Sequence, residues 1–564
     1  MASTSLFDAS AGIPRRRITD TQDFLAVILV GYGESLYPFN EGTNVSSKAM
    51  MPVGNVPIIN LVLDWIIESG LTDILMIVPP TFHSAISNHL AENYSSNSHP
   101  RLRIDLKRHT DGEKDEDEQA SESAVAAKAA GAREGTARLL RRFRGIIKSD
   151  FVLLPCDLAP PPNLSLASIL DKHRASPDAV LTSVLYEPVE AVTEDEEKIL
   201  IAMDKESREL LLIEPLEGME EELETRMSLM ISHPSLSLNT RLLDAHVYVF
   251  RRTVLDLLAT RRPRDLASIR EQFVPWLIKG AWQRELNERW APILSPPKRD
   301  PFAAALARST TAKPSAVTYL DDSTAGSPSS DRQVSLPPTG NVSPIQAEDV
   351  SAAYSGTAAA GIGEVYTSSK SRSRQPSWKC QAVVVAPEPE PSQPATSQGK
   401  GKDKSKAPPA EPAYLIRANS LAGYWELNRK FLRTMTPAVA AQPPTPAAAA
   451  ARSEDGQAGP AISPSAQISP DSLLGEGTKV GDRASIKKCV VGRHCNIGRG
   501  AKITGSILWD FVTVEENARI ENAILCSNVR IGEKAAIKDC EFGTGFEAKP
   551  GATLKGERLV AGQE

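Results

Sequence analysis

The sequence predicts an α/β domain followed by a parallel β-helix, with long insertions of disorder-type composition. Three observations lead to this fold class. An apolar run ends in glycines near the start, strand-like and helix-like segments alternate after it, and aliphatic residues recur with a fixed rhythm in the C-terminal part. At about 150 residues per domain, a chain of 564 residues has room for roughly two to four domains.

The α/β domain begins with the apolar run at 24–30, which ends at Gly31-Tyr32-Gly33 and predicts a strand buried on both faces. Residues 57–71 carry apolar side chains at helical spacing, and a further apolar strand follows. The segments 151–158 and 246–258 repeat the pattern of an apolar strand that ends in polar residues or enters a helix. These elements place the α/β domain at 22–295.

Five segments are predicted to be disordered because they are rich in proline, serine, alanine or charge. For the acidic and alanine-rich insertion, a surface helix is the alternative. A connecting region at 376–432 is predicted to hold a strand and an amphipathic helix. The disordered segments are an N-terminus at 1–21, insertions at about 110–134 and 388–411, and linkers at 296–375 and 433–461.

The C-terminal part, 462–560, has the strongest pattern. From Val480 to Ile537 the aliphatic positions are separated by 5 or 6 residues, with a composite period of 17. This rhythm predicts hexapeptide repeats that form coils with three short faces. Small residues four positions after the aliphatic ones, Cys495 among them, are expected to turn inward. Irregular strands of a sandwich would not keep the rhythm. The predicted face-lining sets are Ile486, Ile503, Ile520 and Ile537; Val491, Leu508 and Leu525; and Ile497, Val514 and Ile531.

Composition excludes several classes of protein. The net charge is −6 and no block of lysine and arginine is present, which argues against direct nucleic-acid binding. Six cysteines without a CxxC pair predict reduced thiols, not a disulfide framework or a zinc site. No apolar run reaches the roughly 18 residues of a membrane span. We therefore expect a cytoplasmic, cytosolic protein that contacts no membrane and contains no metal or cofactor.

The loop at 29–38 and the segment 47–55 resemble the sugar-nucleotide pyrophosphorylase family, in which L-A-G-G-x-G-T-R-L-x-P and P-K-x-L-L-P-V grip a nucleoside triphosphate. The resemblance implies a nucleotidyltransferase-like, Rossmann-type domain and a left-handed β-helix. It places Asp157 at the magnesium-binding aspartate and Gly135-Thr136-Ala137 at the base-contacting turn. The remnant nucleotide pocket that it implies consists of Gly31, Gly33, Lys48, Gly135, Thr136 and Asp157.

This loop departs from the family pattern. Val30 replaces its first glycine, and Ser35 replaces its catalytic arginine beside Glu34. Loss of a cation that stabilises transition-state charge removes several kcal/mol, so no catalytic residue is assigned. Three simpler interpretations stay open: the two glycines form a tight turn that binds nothing, Asp157 caps a turn, and His246 packs at the start of a strand.

Three further segments resemble the gamma-subunit family of eukaryotic translation initiation factor 2B. They are Pro155-Cys156-Asp157-Leu158, the strand near 379–385, and an R-x-x-x-L-x-x-Y-x-x-x-N-R element comprising Arg417, Leu421, Tyr424, Asn428 and Arg429. In that family the last two join the two domains. The epsilon subunit has an additional helical domain that performs nucleotide exchange, and this sequence, which ends at Glu564, is expected to lack it.

The resemblance implies a non-catalytic subunit of a guanine-nucleotide exchange factor. It would pair with the epsilon subunit, assemble with the alpha, beta and delta subunits, and promote exchange of GDP for GTP on translation initiation factor 2. Two alternatives remain. One is an active sugar-phosphate nucleotidyltransferase that uses Lys48 and Asp157, and the other is a regulatory, nucleotide-sensing subunit of such an enzyme.

Overall fold

The structure, a computed structural model, describes residues 24–41, 47–95, 97–111, 135–188, 198–216, 227–260, 266–295, 378–386, 414–439 and 460–562. All of these belong to one compact unit. The predicted disordered segments lie wholly or mostly outside the described residues. The domain bounds drawn from the sequence stay predictions.

Strands and helices alternate through the first part of the chain, as the apolar runs predict. The strands are β1 (Phe24–Leu29), β2 (Pro52–Val53), β3 (Val56–Pro57), β4 (Asp73–Val78), β5 (Arg103–Arg108), β6 (Asp150–Pro155), β7 (Leu158–Ala159), β8 (Ala179–Tyr186), β9 (Ile199–Asp204), β10 (Leu210–Pro215), β11 (Leu236–Asn239), β12 (Leu243–Phe250), β13 (Lys379–Val385) and β14 (Ile416–Arg417). The helices are α1 (Ile59–Glu68), α2 (His83–Asn93), α3 (Thr136–Arg142), α4 (Leu166–Ala175), α5 (Met227–Ser232), α6 (Thr253–Thr260), α7 (Val274–Trp282), α8 (Arg284–Leu294) and α9 (Leu421–Val439).

The central sheet has seven strands in the order β13-β8-β12-β6-β1-β4-β5. Strand β1 lies between β6 and β4 and is parallel to both. Its alternate residues enter two different cores: Val27 packs with α3 and α6 to α8 on one face, and Ala26 and Ile28 pack with α1, α2 and α4 on the other. The prediction of a strand buried on both faces is therefore confirmed.

Two further features complete the α/β domain. Strand β12 runs antiparallel to β6 and β8, and its pairing with β8 is irregular between Asp244 and Tyr248. Strand β13, from the connecting region, adds to the outer edge of the sheet beside β8, two hundred residues earlier in the chain. Strands β10, β9 and β11 form a small separate sheet. Among the described residues, no helix has both the length and the apolarity that a membrane span needs.

The C-terminal part forms three parallel six-stranded sheets, which are the three faces of a β-helix. Their strands are β15 (Ala461–Ile462), β16 (Gln467–Ile468), β17 (Leu473–Leu474), β18 (Lys479–Val480), β19 (Ser485–Lys487), β20 (Val490–Val491), β21 (Asn496–Ile497), β22 (Lys502–Thr504), β23 (Ile507–Leu508), β24 (Thr513–Val514), β25 (Arg519–Glu521), β26 (Ile524–Leu525), β27 (Arg530–Ile531), β28 (Ala536–Lys538), β29 (Glu541–Phe542), β30 (Glu547–Ala548), β31 (Thr553–Lys555) and β32 (Arg558–Leu559).

The strand register confirms the sequence rhythm. On one face Ile486 pairs with Ile503, Ile503 with Ile520, and Ile520 with Ile537. The other two predicted sets also stack in register, and all of these side chains form a single apolar core. The small residues at the corners are buried with them, including Cys495, which is 1% exposed. All six cysteines are buried, and none of them is joined to another in a disulfide.

Candidate functional site

The candidate site lies at the carboxyl ends of β1 and β6, neighbouring parallel strands of the central sheet. Leu29 ends β1 and pairs with Pro155, which ends β6, so the two following loops begin side by side. Open α/β sheets bind ligands at this edge. The fold therefore brings the glycine-containing turn at 31–33 close to the loop that holds Asp157.

Asp157 is buried, and two cations from distant parts of the chain hold its carboxylate. The Lys48 Nζ lies 2.6 Å from Oδ2, and the Arg417 Nη2 lies 3.3 Å from the same oxygen. Lys48 starts a short 3₁₀ turn that the side chain of Ser47 caps by accepting a bond from the amide of Ala49. Arg417 belongs to β14. Two of the three groups, Lys48 and Asp157, are predicted pocket residues.

The charges of this cluster set its electrostatics. Burial by itself raises the pKa of Asp157, but Arg417 and Lys48 outweigh burial and hold the pKa well below its ordinary value. The carboxyl is therefore ionised at neutral pH. One carboxylate and two cations leave the cluster with a formal net charge of about +1.

A second buried polar group lies in β12. His246 has a φ of +57°, in the left-handed region, at the irregular pairing of β12. The carboxylate of Asp244 accepts a hydrogen bond from the amide of His246 at 2.9 Å and another from the hydroxyl of Tyr248. Burial raises the pKa of Asp244, and burial together with Arg417 holds the pKa of His246 well below its usual value. The imidazole is therefore neutral.

The sequence interpretation of His246 as a residue at a strand start differs from the structure. His246 lies inside β12, where the strand bulges. The left-handed backbone at this position is uncommon for a residue other than glycine. The bonds to Asp244 stabilise it, and alternating apolar residues along the sequence give no sign of it.

The two glycines of the first loop have different roles. Gly33 has a φ of +76°, and its carbonyl accepts a hydrogen bond from the amide of Leu36 at 3.0 Å, so the turn needs glycine there. At Gly31 a Cβ would meet no heavy atom within 4 Å, and the backbone amide lies against the Cys156 thiol. Ser35, at the position of the family's arginine, is exposed. The loop keeps its turn without the cation that the pyrophosphorylases place there.

Gly135 and Thr136 make their contacts with another part of the chain. A Cβ at Gly135 would lie 2.3 Å from the carbonyl oxygen of Ala267, and Thr136 Oγ1 accepts a hydrogen bond from the amide of Ile269 at 3.0 Å. The amide of Ala137 also bonds to Ala267, at 2.8 Å. The turn thus docks the segment that leads into α7, and its described hydrogen bonds do not run to Lys48 or Asp157.

The magnesium ion that the pyrophosphorylase resemblance implies does not fit this arrangement. Mg²⁺ needs an octahedron of oxygen ligands, usually with one or two carboxylates. Here Oδ2 of Asp157 already faces Lys48 and Arg417. Within the described ranges, no group of three or more His, Cys, Asp or Glu side chains could hold a metal ion. The chemistry that the site supports is charge pairing inside the protein.

The elements that hold Lys48 and Arg417 lead into a joint between the α/β domain and the β-helix. The amide of Gly54 donates to Asn428 Oδ1 at 3.3 Å, and the hydroxyl of Tyr424 donates to the Pro52 carbonyl at 2.5 Å. The indole Nε1 of Trp509, on the β-helix, donates to the same hydroxyl at 3.0 Å. Helix α9 therefore contacts both domains through side chains of the predicted R-x-x-x-L-x-x-Y-x-x-x-N-R element.

Sequence reasoning missed two residues of this region as site residues, and each had a signal. Arg417 interrupts the apolar Tyr-Leu-Ile-Arg-Ala run, and an arginine in a buried strand needs a buried anion. Trp509 stands where the neighbouring coils have Gly492, Cys526 and Gly543. A large aromatic residue among small ones indicates that something packs against that coil.

Comparison with known proteins gives one family match and two curated relatives. Residues 457–554 match the family model described as the left-handed β-helix (LbH) domain of EIF2B subunit epsilon. The translation initiation factor eIF2B subunit gamma of Schizosaccharomyces pombe is 30% identical over 276 residues, which are 47% of this chain and 54% of the relative. The corresponding subunit of Dictyostelium discoideum is 22% identical over 251 residues, 41% of this chain and 51% of the relative.

The matches extend over about half the length of these curated relatives. They concern a named subunit in both organisms, and the β-helix match comes from the same complex. The resemblance drawn from the sequence motifs is therefore confirmed: the chain is similar to the gamma subunit of translation initiation factor eIF2B and carries an eIF2B-type left-handed β-helix.

Proposed function

We propose that the chain is the non-catalytic gamma subunit of the eIF2B guanine-nucleotide exchange complex. Two observations together carry the proposal: the joined architecture of the two domains, and a site carboxylate that is already paired within the chain. The buried contact between Tyr424 and Trp509 joins the α/β domain to an eIF2B-type β-helix, while Lys48 and Arg417 occupy the carboxylate of Asp157. In this proposal the chain has a nucleotidyltransferase-like fold but does not catalyse nucleotidyl transfer.

The residues of the candidate site argue against the alternative of an active nucleotidyltransferase. Transfer of a nucleotidyl group needs cations that neutralise the phosphates, and the position of the catalytic arginine holds Ser35 next to Glu34. The remaining carboxylate, Asp157, is bound to Arg417. A regulatory site for nucleotide is disfavoured by the same pair. The proposed role is therefore architectural.

In this role the chain pairs with the epsilon subunit through its α/β domain and β-helix. The complex further includes the alpha, beta and delta subunits, and its substrate is the GTPase translation initiation factor 2, in the cytosol. The subunit holds epsilon in place and helps to dock the substrate, while epsilon supplies the exchange residues. No nucleic acid and no membrane takes part directly.

Affinity purification of the tagged full chain from its own cells at moderate salt tests the assembly. We expect four other exchange-factor subunits in equal amounts and translation initiation factor 2 in a smaller amount, identified by mass spectrometry. Recovery of the chain alone, or only with itself, would contradict the proposal.

An exchange assay tests the role. Release of labelled GDP from translation initiation factor 2 is measured with the epsilon subunit alone and with this chain added. We expect the addition to raise the rate or the substrate affinity. The Ile503→Asp variant, which places a charge in the β-helix core, should lose this effect, and the Lys502→Ala variant, on the exposed side of the same strand, should keep it.

A third assay keeps the enzyme alternative testable. The chain is incubated with magnesium, a sugar phosphate and each of GTP, CTP, UTP and dTTP, and pyrophosphate release is followed. We expect no release above a control without sugar phosphate. Turnover that disappears in Asp157→Asn would replace the proposed function by nucleotidyl transfer.

A further inference from the structure

Strand β14 lies against β7, next to Asp157, and is bound there by backbone pairing. Ile416 pairs with Ala159 and Arg417 with Leu158, in antiparallel register. The amide of Ala418 donates to the carbonyl of Asp157 at 2.9 Å. Strand β14 is thus held beside Asp157, although Arg417 and Asp157 are 260 residues apart in the sequence.

The side chain of Arg417 also connects β14 to Asp157. Arg417 is 5% exposed and Asp157 is 2% exposed, so both charges are removed from water. A buried guanidinium is tolerated only where a buried anion and hydrogen bonds compensate for its lost hydration. Asp157 supplies the anion, with Arg417 Nη2 at 3.3 Å from its Oδ2.

We infer that Arg417 takes the position of a metal ion at Asp157. This edge of the sheet is then a binding site for the chain's own strand β14. A divalent ion added to the present cluster would raise its formal charge from about +1 to about +3 in a site with little water. Binding of a divalent ion at the Oδ2 atom of Asp157 would therefore require the guanidinium of Arg417 to leave that oxygen.

The contacts of β14 with Asp157 also position the joint between the two domains. Arg417 is followed within four residues by Leu421, the first residue of α9, and α9 carries Tyr424 and Asn428 to their partners on the α/β domain. The pair between Arg417 and Asp157 thus anchors the end of α9 that enters the joint. Asp157 has the role of a structural anchor at a place where the pyrophosphorylase resemblance implies metal binding.

Direct binding is the first arm of the test. Full-length chain is titrated with Mn²⁺ and a fluorescent GTP analogue, followed by electron paramagnetic resonance and by fluorescence anisotropy. We expect no saturable binding above the level of the Asp157→Asn variant. Saturable, Mn²⁺-dependent binding to the wild-type chain that falls at least tenfold in Asp157→Asn would overturn the inference.

A double-mutant cycle is the second arm. Asp157→Asn removes the carboxylate that Lys48 and Arg417 share, Arg417→Gln leaves that carboxylate with Lys48, and the double variant replaces both charges by amides. For a mutual anchor, the folding constant of the double variant should exceed the value expected from independent effects by at least about tenfold. The exposed pair Arg252 and Asp256 is the matched control and should show a coupling of about twofold or less. Independent effects of the two substitutions would overturn the inference.

Hydrogen exchange is the third arm, and it needs no Asp157 variant. In Arg417→Gln, amide exchange at 157–159 and 414–420 should rise at least tenfold, while exchange in the β-helix core stays within twofold of wild type. Unchanged exchange in both segments would show that the side chain does not hold β14 and would overturn the inference. The subunits recovered with the full chain do not depend on this result, so its failure is distinguishable from failure of the proposed function.

Discussion

The Tyr424→Phe variant removes a single oxygen atom from the joint between the two domains and is expected to lower the free energy of unfolding by about 2–3 kcal/mol. Tyr424 is fully buried, and its ring packs edge-on against Trp509 and Phe39. The phenylalanine ring would keep these contacts. The loss therefore reports on the hydroxyl group.

The magnitude follows from what the hydroxyl does. It donates to the carbonyl of Pro52 at 2.5 Å and accepts from the indole Nε1 of Trp509 at 3.0 Å. Without it, the buried N–H of Trp509 and the partly buried carbonyl of Pro52 lose a partner, and an unsatisfied buried donor costs about 1–3 kcal/mol. Removing the hydroxyl also removes its own desolvation, which offsets part of the sum.

Urea unfolding followed by tryptophan fluorescence and far-ultraviolet circular dichroism measures the change. The control is Tyr94→Phe, whose hydroxyl makes one exposed bond to Asp64 at 3.1 Å and should contribute less than about 0.5 kcal/mol. Trp509→Phe and the double variant complete a cycle. We expect a coupling of about 1 kcal/mol or more between Tyr424 and Trp509, because they share one hydrogen bond.

Two results would refute this reasoning. One is a loss for Tyr424→Phe no larger than that for Tyr94→Phe. The other is strict additivity with Trp509→Phe, which would mean that the indole N–H finds another partner when the hydroxyl is gone. In either case the hydroxyl group of Tyr424 would not stabilise the joint.

Three further predictions concern the loops, the β-helix and pH. Gly135→Ala should lower stability by about 2 kcal/mol or more, because its Cβ would meet a backbone carbonyl at 2.3 Å, whereas Gly31→Ala should change it by less than about 1 kcal/mol; thermal unfolding compares them. Ile503→Ala should cost about 2–5 kcal/mol and Lys502→Ala less than about 0.5 kcal/mol in urea unfolding, and equal losses would contradict a filled core. Burial and two nearby arginines lower the pKa of His173 to about 4, so the unfolded state binds the proton more readily than the folded state does. The free energy of unfolding should therefore fall by up to roughly 3 kcal/mol as the pH is lowered from about 6.5 to 4. The His173→Gln variant should show a smaller fall over the same pH range.

The sequence allowed much of the fold to be predicted because the relevant forces are local or periodic. The apolar run that became β1 is continuous, as burial on both faces requires, and it ends at a glycine turn. In the β-helix, each aliphatic side chain packs against the equivalent residue of the next coil, so one spacing rule determines the registers from Val480 to Ile537. Neither inference needed knowledge of distant contacts.

The candidate site was less predictable because its contacts are long-range. Lys48 and Asp157 are grouped by the family resemblance of their motifs, but the contact of Arg417 with Asp157 links residues 260 apart and belongs to no such motif. Likewise, the turn at Gly135 and Thr136 was assigned to nucleotide contact, whereas its described bonds run to Ala267 and Ile269. Local patterns show which residues are buried, and only the assembled chain shows which partner meets them.

The register of the β-helix also limits how this protein can change its length. From Leu473 onward, equivalent residues of adjacent coils are 17 positions apart, as in the hydrogen bond between Asn522 and Asp539, whereas two faces of the first coil pair residues 18 apart. A corner of the first coil thus absorbs one extra residue, but loss of one residue within a strand would turn the side chains that follow in that strand from the interior to the surface. Loss or gain of one whole coil would preserve all pairings. Such a change would still move Trp509 relative to the end of the β-helix. The β-helix is thus modular in units of one coil, and the coil that bears Trp509 is the unit that cannot be exchanged for its neighbours.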